Sequence, residues 1–181
     1  ARKYTRIAET TFPTVIKARE DARAAGAIGL GSRYSEVENQ FLELTGAVEN
    51  DSLSWAQRKA PGVESAYRAI ELTTIQETTG SQIKALIAKA RADDAEKLTP
   101  NLLSETESQY RALQKFITQN RYASEEIGKR AQETLFQANR LVAFTREANV
   151  IRRKSVEEQL LRQEARLDAI AAGVSAPDSR D

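Results

Sequence analysis

Apolar residues recur every three or four positions along almost the whole chain, which is the spacing of one face of an α-helix. A first stripe, rich in small residues, runs from Tyr4 through Val15 to Ala25. A bulkier stripe, displaced by one position, runs from Leu30 to Val48. The alternation of apolar and polar residues that is typical of strands is absent. The pattern therefore predicts an all-α protein.

Three glycines, Gly26, Gly29 and Gly31, coincide with the shift between these two stripes. Their spacing differs from G-x-G-x-x-G, and neither a preceding strand nor a Walker lysine accompanies them. We therefore predict a helix junction and not a phosphate-binding loop. Either the helix bends here and continues in the same direction, or the chain reverses. Pro13 is expected in an early turn of the first helix or at a mild kink.

Polar and proline-containing segments predict where further helices end. The segment Asn50–Ser52 has the composition of a turn that caps the next helix. Pro61-Gly62 is the clearest break in the pattern. Asp93-Asp94 and Thr99-Pro100 indicate a connection between helices.

The last third of the chain keeps one helical register from Leu103 to Ala148. No proline interrupts it, so we expect one continuous helix over residues 101–151. The competing interpretation is a hairpin near residues 120–124, where Ser124 precedes two glutamates and is able to cap a new helix.

Beyond residue 151 that register fails, because Arg152 falls where an apolar residue is due. A new apolar stripe then runs from Val156 to Ile170. The predicted organisation is a helical bundle over residues 1–151, an amphipathic helical extension over 152–172 and a flexible tail over 173–181. For the bundle we expect an elongated, antiparallel arrangement of three to four long helices with coiled-coil-like packing.

The composition excludes most catalytic chemistry. The chain has 181 residues with 27 basic and 26 acidic side chains, so its net charge of +1 does not favour nucleic acid as a partner. It contains neither cysteine nor histidine, which removes thiolate nucleophiles, Ser-His-Asp triads and the commonest metal ligands. The paired carboxylates are adjacent in sequence and point apart on a helix. We expect no enzyme, no metal site and no cofactor.

Three places combine an aromatic ring with a nearby guanidinium, which suits an anionic or amphipathic small molecule. The predicted ligand-binding residues are Arg33, Tyr34, Trp55, Arg58, Tyr67 and Arg68.

The opening segment RKYTRIAETTFPTVIKARE, residues 2–20, resembles the start of the helical-bundle sensor (input) domains of bacterial sensor histidine kinases and chemoreceptors. The resemblance implies a non-enzymatic domain of a transmembrane receptor, such as a two-component sensor, in which a small molecule or a protein binds between helices. It further implies a homodimer at the periplasmic face of the inner membrane, attached through flanking segments not in this chain. One departure is that the chain stays charged after Ile151, where the family continues into an apolar span.

That departure keeps two alternatives open. The domain then lies in the cytoplasm, or it is a dimeric coiled-coil scaffold or a membrane-associated structural protein. The stripe from Val156 to Ile170 favours the scaffold, because an apolar helix face needs a partner to cover it.

Overall fold

The computed structural model describes residues 10–175, and these residues are almost entirely helical. No strand occurs among them, so the prediction of an all-α protein is confirmed. The start of the first predicted stripe at Tyr4 and the end of the predicted tail lie outside the described residues. The α-helices in chain order are α1 (Pro13–Ala24), α2 (Ser32–Glu49), α3 (Leu53–Ala92), α4 (Ala95–Leu98), α5 (Pro100–Gln119), α6 (Ser124–Arg152) and α7 (Val156–Ser175).

The glycine segment between α1 and α2 reverses the chain. Gly26 has a φ of 91° and Gly31 a φ of 60°, conformations that glycine adopts without steric cost. A short 3₁₀ turn, Ala27–Leu30, lies between them. The two helices run antiparallel. Arg19 pairs with Glu38, whereas Arg23, one turn later on α1, bonds Tyr34, one turn earlier on α2. Of the two interpretations left open for this segment, the reversing loop is correct.

Pro13 occupies the first turn of α1, as predicted. Its missing N–H is no loss there, because the first amides of a helix have no intrahelical partner.

Pro61 does not end a helix, and the predicted break at Pro61-Gly62 is wrong. α3 is 40 residues long and contains Pro61 in its interior. Apolar residues stay in phase on both sides of the proline, with Ala56 and Ala60 before it and Val63 and Tyr67 after it, all buried. Packing of this face outweighs the local cost of the proline.

The predicted continuous helix over residues 101–151 is also wrong. α5 ends at Gln119 and α6 begins at Ser124. The Arg130 guanidinium lies 4.3 Å above the Phe116 ring, which places the start of α6 back against the end of α5. The competing hairpin interpretation is therefore correct.

The remaining boundaries match the sequence signals. α2 ends just before the polar segment at residues 50–52, and α3 ends at the predicted connection near Asp94, which has a φ of 69°. A break at residues 153–155 separates α6 from α7.

The chain divides into two compact units. One comprises Ala1–Lys84 and Ser108–Leu135, and the other comprises Ala85–Glu107 and Phe136–Asp181. The predicted boundaries at residues 151 and 172 stay predictions.

The first unit is built on α1, α2 and the first part of α3. Small residues on α1, among them Ala18 and Ala22, are fully buried, and they let the neighbouring helices approach closely. The large side chains of the core are Tyr67, Phe41 and Leu44. In the same unit α5 approaches α3 so closely that Gly80 faces Gln114 and Tyr110.

In the second unit, buried threonine hydroxyls bond within their own helices. Thr106 donates to the Leu102 carbonyl, and Thr145 donates to Leu141. The Thr99 and Thr145 hydroxyls lie 2.8 Å apart. Each buried hydroxyl therefore has a partner, which avoids the cost of an unpaired polar group.

Candidate functional site

Two clusters of charged side chains lie in the first unit, and they differ in whether they leave hydrogen-bonding positions unused. In the first cluster, the Glu38 carboxylate on α2 is surrounded by donors. Its Oε2 accepts hydrogen bonds from Arg19 Nε at 3.1 Å, Tyr34 OH at 2.8 Å and Tyr67 OH at 2.9 Å. Its Oε1 accepts from Arg19 Nη2 and from Arg23 Nη2, the latter at 3.3 Å.

These bonds change the acidity of the groups involved. Burial raises the pKa of the Glu38 carboxyl, but hydrogen bonds from Arg19, Tyr34 and Tyr67 outweigh burial and lower the pKa to about 2. Burial and the bond to Glu38 raise the pKa of Tyr67 well above its ordinary value. Glu38 is therefore ionised and Tyr67 neutral at physiological pH.

The Glu38 cluster stabilises the fold and leaves no room for a ligand. A carboxylate has about four lone-pair positions, and five donors already engage Glu38. The rings close the surroundings further, since Phe41 packs edge-on against Tyr67 and the Arg19 guanidinium lies 4.6 Å above the Phe41 ring. The cluster joins α1, α2 and α3.

The second cluster is centred on Arg68 and Glu71 of α3. Arg68 Nη1 donates to Asp21 Oδ2 at 2.6 Å and to the Tyr122 hydroxyl at 2.9 Å. Arg121 Nη1 donates to the Arg68 carbonyl at 2.9 Å and to Glu71 Oε2 at 3.2 Å. The α5–α6 turn, which carries Arg121 and Tyr122, is thereby fixed to α3.

The hydrogen bond from Arg68 lowers the pKa of Asp21, and the same bond raises the pKa of Arg68. Both groups therefore keep their charges over a wide range of pH.

A cleft of about 470 Å³ opens beside this second cluster. Asp21, Glu71, Arg121 and Tyr122 form its polar wall. The remaining lining is small or apolar, and it comprises Ala24, Ala25, Ile75, Thr79, Ser124, Ile127 and Gly128. The volume lies within the range of small-molecule sites, and the mixture of an apolar lining with a few polar groups is typical of them.

Glu71 is the unusual member of this wall. Its side chain is only 2% exposed, yet all its contacts with Arg68, Arg121 and Tyr122 fall on Oε2, at 3.2 to 3.5 Å. No hydrogen bond from a described residue reaches its Oε1. In its bonds to described residues Arg121 likewise uses only Nη1, so its Nε and Nη2 donors remain available to a bound group. An unused oxygen on a buried glutamate and a guanidinium with spare donors therefore meet at one cleft.

The six predicted ligand-binding residues are dispersed. Tyr34 and Tyr67 are buried and meet at Glu38. Arg68 holds the polar wall of the cleft without being one of its lining residues. Arg33 forms a bidentate pair with Glu77 at 2.8 Å, with both side chains about half exposed. The prediction of these residues as a ligand site stays a prediction.

The other two predicted residues lie on the surface of α3. Trp55 carries Lys59 5.9 Å above its ring. Arg58 is exposed, and no ion pair involving it is found within residues 10–175.

The cleft residues that the sequence did not single out are Asp21, Glu71, Arg121 and Tyr122. One signal for Glu71 was present, because it lies four residues after Tyr67 and three before Thr74 on the apolar face of α3. A glutamate on a buried face needs partners. Nothing in the local pattern indicates that Arg121 and Tyr122 supply them.

Neither a metal site nor a membrane span is found in the described part of the chain. Within residues 10–175, no group of three or more acidic side chains is arranged to hold a metal ion. None of the described helices combines the length and the apolar character that crossing a membrane requires.

Comparisons with protein-family models, with curated proteins and with solved structures find no match to this chain.

Proposed function

We propose that the chain is a ligand-sensing helical domain without catalytic activity, and that its ligand is a small amphipathic acid bound in the cleft beside Glu71. The observation that carries the proposal is the buried, incompletely bonded Glu71 beside Arg121 in a cleft of about 470 Å³. A ligand carboxylate pairs with the free edge of the Arg121 guanidinium. A hydroxyl or ammonium group next to that carboxylate donates to Glu71 Oε1.

The remaining lining of the cleft contacts the apolar part of the ligand. Ala24, Ala25, Ile75 and Ile127 offer a surface that gains from being removed from water. Asp21 and Glu71 of the polar wall are balanced by Arg121 together with Arg68, which lies behind the wall and pairs with Asp21. The site therefore favours a ligand that brings its own donor and acceptor over a simple inorganic anion.

Sensing requires that binding changes the position of a helix. The start of α6 lines the cleft with Ser124, Ile127 and Gly128, and α6 continues without interruption to Arg152. We expect a ligand wedged between α3 and the start of α6 to move α6 by about 1–2 Å, the size of shift common in helical switches.

The wider parts of this proposal rest on the resemblance of residues 2–20 to bacterial sensor domains. They are an elongated antiparallel bundle with coiled-coil-like packing, a homodimer, and a place on the periplasmic face of the inner membrane with attachment through flanking segments. The cytoplasm remains the alternative compartment.

Binding is tested by thermal unfolding in the presence of small carboxylic acids, with hydroxy, amino and unsubstituted members and the corresponding amides. An acid present at 100 times its Kd stabilises the fold by about 2.7 kcal/mol, which raises Tm by roughly 5–10 °C for a chain of this size. The amides are expected to give no shift, because they lack the anionic group.

Gly128→Leu supplies the blocking variant, since Gly128 lines the cleft and an added Cβ meets no atom within 4 Å. Gly46→Leu on α2 is the matched control, because Gly46 has the same free space and lies outside the cleft. We expect Gly128→Leu to abolish the Tm shift and Gly46→Leu to retain it. If no acid in the series stabilises the wild-type chain, the proposed ligand class is wrong.

Movement of α6 is measured separately. The chain has no cysteine, so Glu20→Cys on α1 and Lys129→Cys on α6 accept spin labels without background. A ligand that binds and leaves the label distance unchanged would contradict sensing through α6 while leaving the binding site intact.

A structural role is the second candidate function. The observation that favours it is the outer face of α7, where five large apolar side chains are each more than half exposed. A scaffold predicts assembly that is independent of any ligand of the cleft.

A further inference from the structure

We propose that the second unit carries a dimer interface in which the outer face of α7 packs into the α6–α7 groove of a second copy of this chain. This inference is independent of the ligand cleft, which lies in the first unit. It rests on how α7 is held, on the area it exposes and on the charges that border it.

α7 is fixed to α6 through its polar side. Arg162 and Arg166 both pair with Glu147 of α6, at 2.8 and 3.1 Å. Gln159 donates to the carbonyls of Ile151 and Lys154 at 3.0 and 3.1 Å.

A capping box at Ser155 and Glu158 fixes the start of the helix, with reciprocal bonds of 3.0 and 3.2 Å. The orientation of α7 is therefore set by these contacts, and its apolar side is left facing solvent.

The apolar side of α7 repeats with the four- and three-residue steps of a coiled-coil seam. Its large residues are Val156, Leu160, Leu161, Leu167 and Ile170, each more than half exposed. On α6 the same unit exposes Phe136, Phe144 and Ile151. Ile151 and Leu167 line one groove between α6 and α7, so the two apolar stripes border each other.

The exposed area matches that of a stable dimer. The five large apolar side chains on the outer face of α7 expose roughly 100 Å² each, or about 500 Å² per copy. A standard interface buries about 800 Å² on each partner, of which about 60% is apolar, so the α7 face supplies about the apolar share of one partner.

The charges that border the two surfaces are complementary. The outer face of α7 carries Glu157, Glu164 and Asp168 beside its leucines. The α6–α7 groove carries three cationic side chains, Lys154, Arg162 and Arg166, against one anionic side chain, Glu147. An α7 face laid into the groove of a second copy brings acidic and basic borders together, and two-fold symmetry makes the contact twice.

The same charges argue against two other occupants. Two α7 faces laid directly on each other would bring their acidic borders together, which opposes association. An anionic membrane surface would be repelled by the same carboxylates.

Oligomeric state is measured by sedimentation equilibrium on the full chain. We expect a dimer at about 10 µM, which corresponds to a micromolar or tighter Kd, and a monomer for the double variant Leu160→Glu/Leu167→Glu. Both leucines are about 60% exposed, so the monomer fold tolerates the change. Leu42→Glu on α2 is the matched control, since Leu42 is 57% exposed and lies outside this surface; it should remain dimeric.

Charge reversal distinguishes the proposed arrangement from the alternatives. One variant reverses the acidic border (Glu157→Lys, Glu164→Lys and Asp168→Lys). The other reverses two of the three basic side chains of the groove (Lys154→Glu and Arg166→Glu) and leaves Arg162 to pair with Glu147. Each variant alone is expected to be monomeric, because α7 then meets a groove of like charge. An equimolar mixture is expected to restore a dimer, because both contacts become complementary again.

Three results would overturn the proposal. The first is a wild-type chain that stays monomeric at about 100 µM. A monomer that floats with phosphatidylcholine vesicles counts as the same result, because its apolar face then binds lipid and not a second copy. The second is a dimer that survives the double leucine variant. The third is a basic-side variant that dimerises alone as strongly as the wild type.

Discussion

Replacing Glu38 by glutamine tests whether its partly buried carboxylate stabilises the first unit through its charge. A pKa of about 2 in the folded chain, in place of 4.5 in the unfolded chain, means that folding stabilises the ionised carboxylate relative to the protonated one. At about 1.4 kcal/mol per pKa unit, this corresponds to about 3 kcal/mol of stability at neutral pH. Glu38→Gln removes the charge while keeping the size of the side chain.

The sign of the pH dependence follows from the lowered pKa. The contribution of Glu38 is complete above the unfolded-state pKa and is lost as the pH falls through 4.5 toward about 2. We therefore expect the wild type to exceed Glu38→Gln by about 3 kcal/mol at pH 7 and by about 1.5 kcal/mol at pH 3.

Urea unfolding followed by circular dichroism gives the free energy of unfolding of both proteins at each pH. Glu77→Gln is the control, because Glu77 also pairs with an arginine but is about half exposed, and solvent screens such pairs. Its difference from the wild type should be small throughout. A difference between wild type and Glu38→Gln that stays constant from pH 7 to pH 3 would refute the reasoning, because the loss would then come from packing and not from the charge.

Three further predictions concern the backbone. Gly26→Ala should destabilise the chain by about 1–2 kcal/mol, because Gly26 has a φ of 91°; Gly29→Ala, which is free of that constraint and has open space, should be neutral or slightly stabilising in the same urea titration. Pro61→Ala should raise the free energy of unfolding by about 1–2 kcal/mol, since it restores an amide donor inside α3, and no gain would show that the helix is kinked to fit the proline. Gly80→Ala should be less stable than Gly46→Ala by about 1 kcal/mol, because its Cβ would lie 3.0 Å from the Tyr110 ring, whereas the end of the Gln114 side chain at 2.7 Å can move aside; equal Tm values for the two would contradict the close approach of α5 to α3.

Helical periodicity predicted most of the helices because burial of one face dominates their formation. It failed at residues 120–123 because the apolar register stays in phase across the turn, so the stripe alone does not show the reversal. What holds the turn is a set of long-range contacts from Arg121 and Tyr122 to Arg68 and Glu71. Contacts between residues some fifty positions apart leave no mark on a local pattern.

The error at Pro61 has the opposite cause. There the local signal was strong, but the buried residues that flank it, Ala60 and Val63, pack in phase within one core. Intrinsic propensity is a weak guide where tertiary packing opposes it.

Four of the six predicted ligand-binding residues, Arg33, Tyr34, Tyr67 and Arg68, form pairs in which an arginine adjoins a tyrosine in sequence, and adjacency is misleading on a helix. Neighbouring residues point about 100° apart. Arg33 therefore reaches Glu77, whereas Tyr34 turns inward to Glu38. Side chains that meet in the folded chain, such as Tyr34 and Glu38, are four residues apart or lie on different helices.

Glu38 and Glu71 show why one carboxylate holds the fold and the other is suited to a ligand. Glu38 receives hydrogen bonds on both oxygens from two tyrosines and two arginines, and those to Oε2 are 2.8 to 3.1 Å long, so an incoming donor would have to displace an existing bond. Glu71 is less exposed than Glu38, yet its contacts are long and confined to one oxygen. A ligand donor that reaches Oε1 would add a charge-assisted hydrogen bond that no described residue makes to this oxygen. In the proposed function, the same residue type therefore stabilises the fold at position 38 and favours the liganded state at position 71.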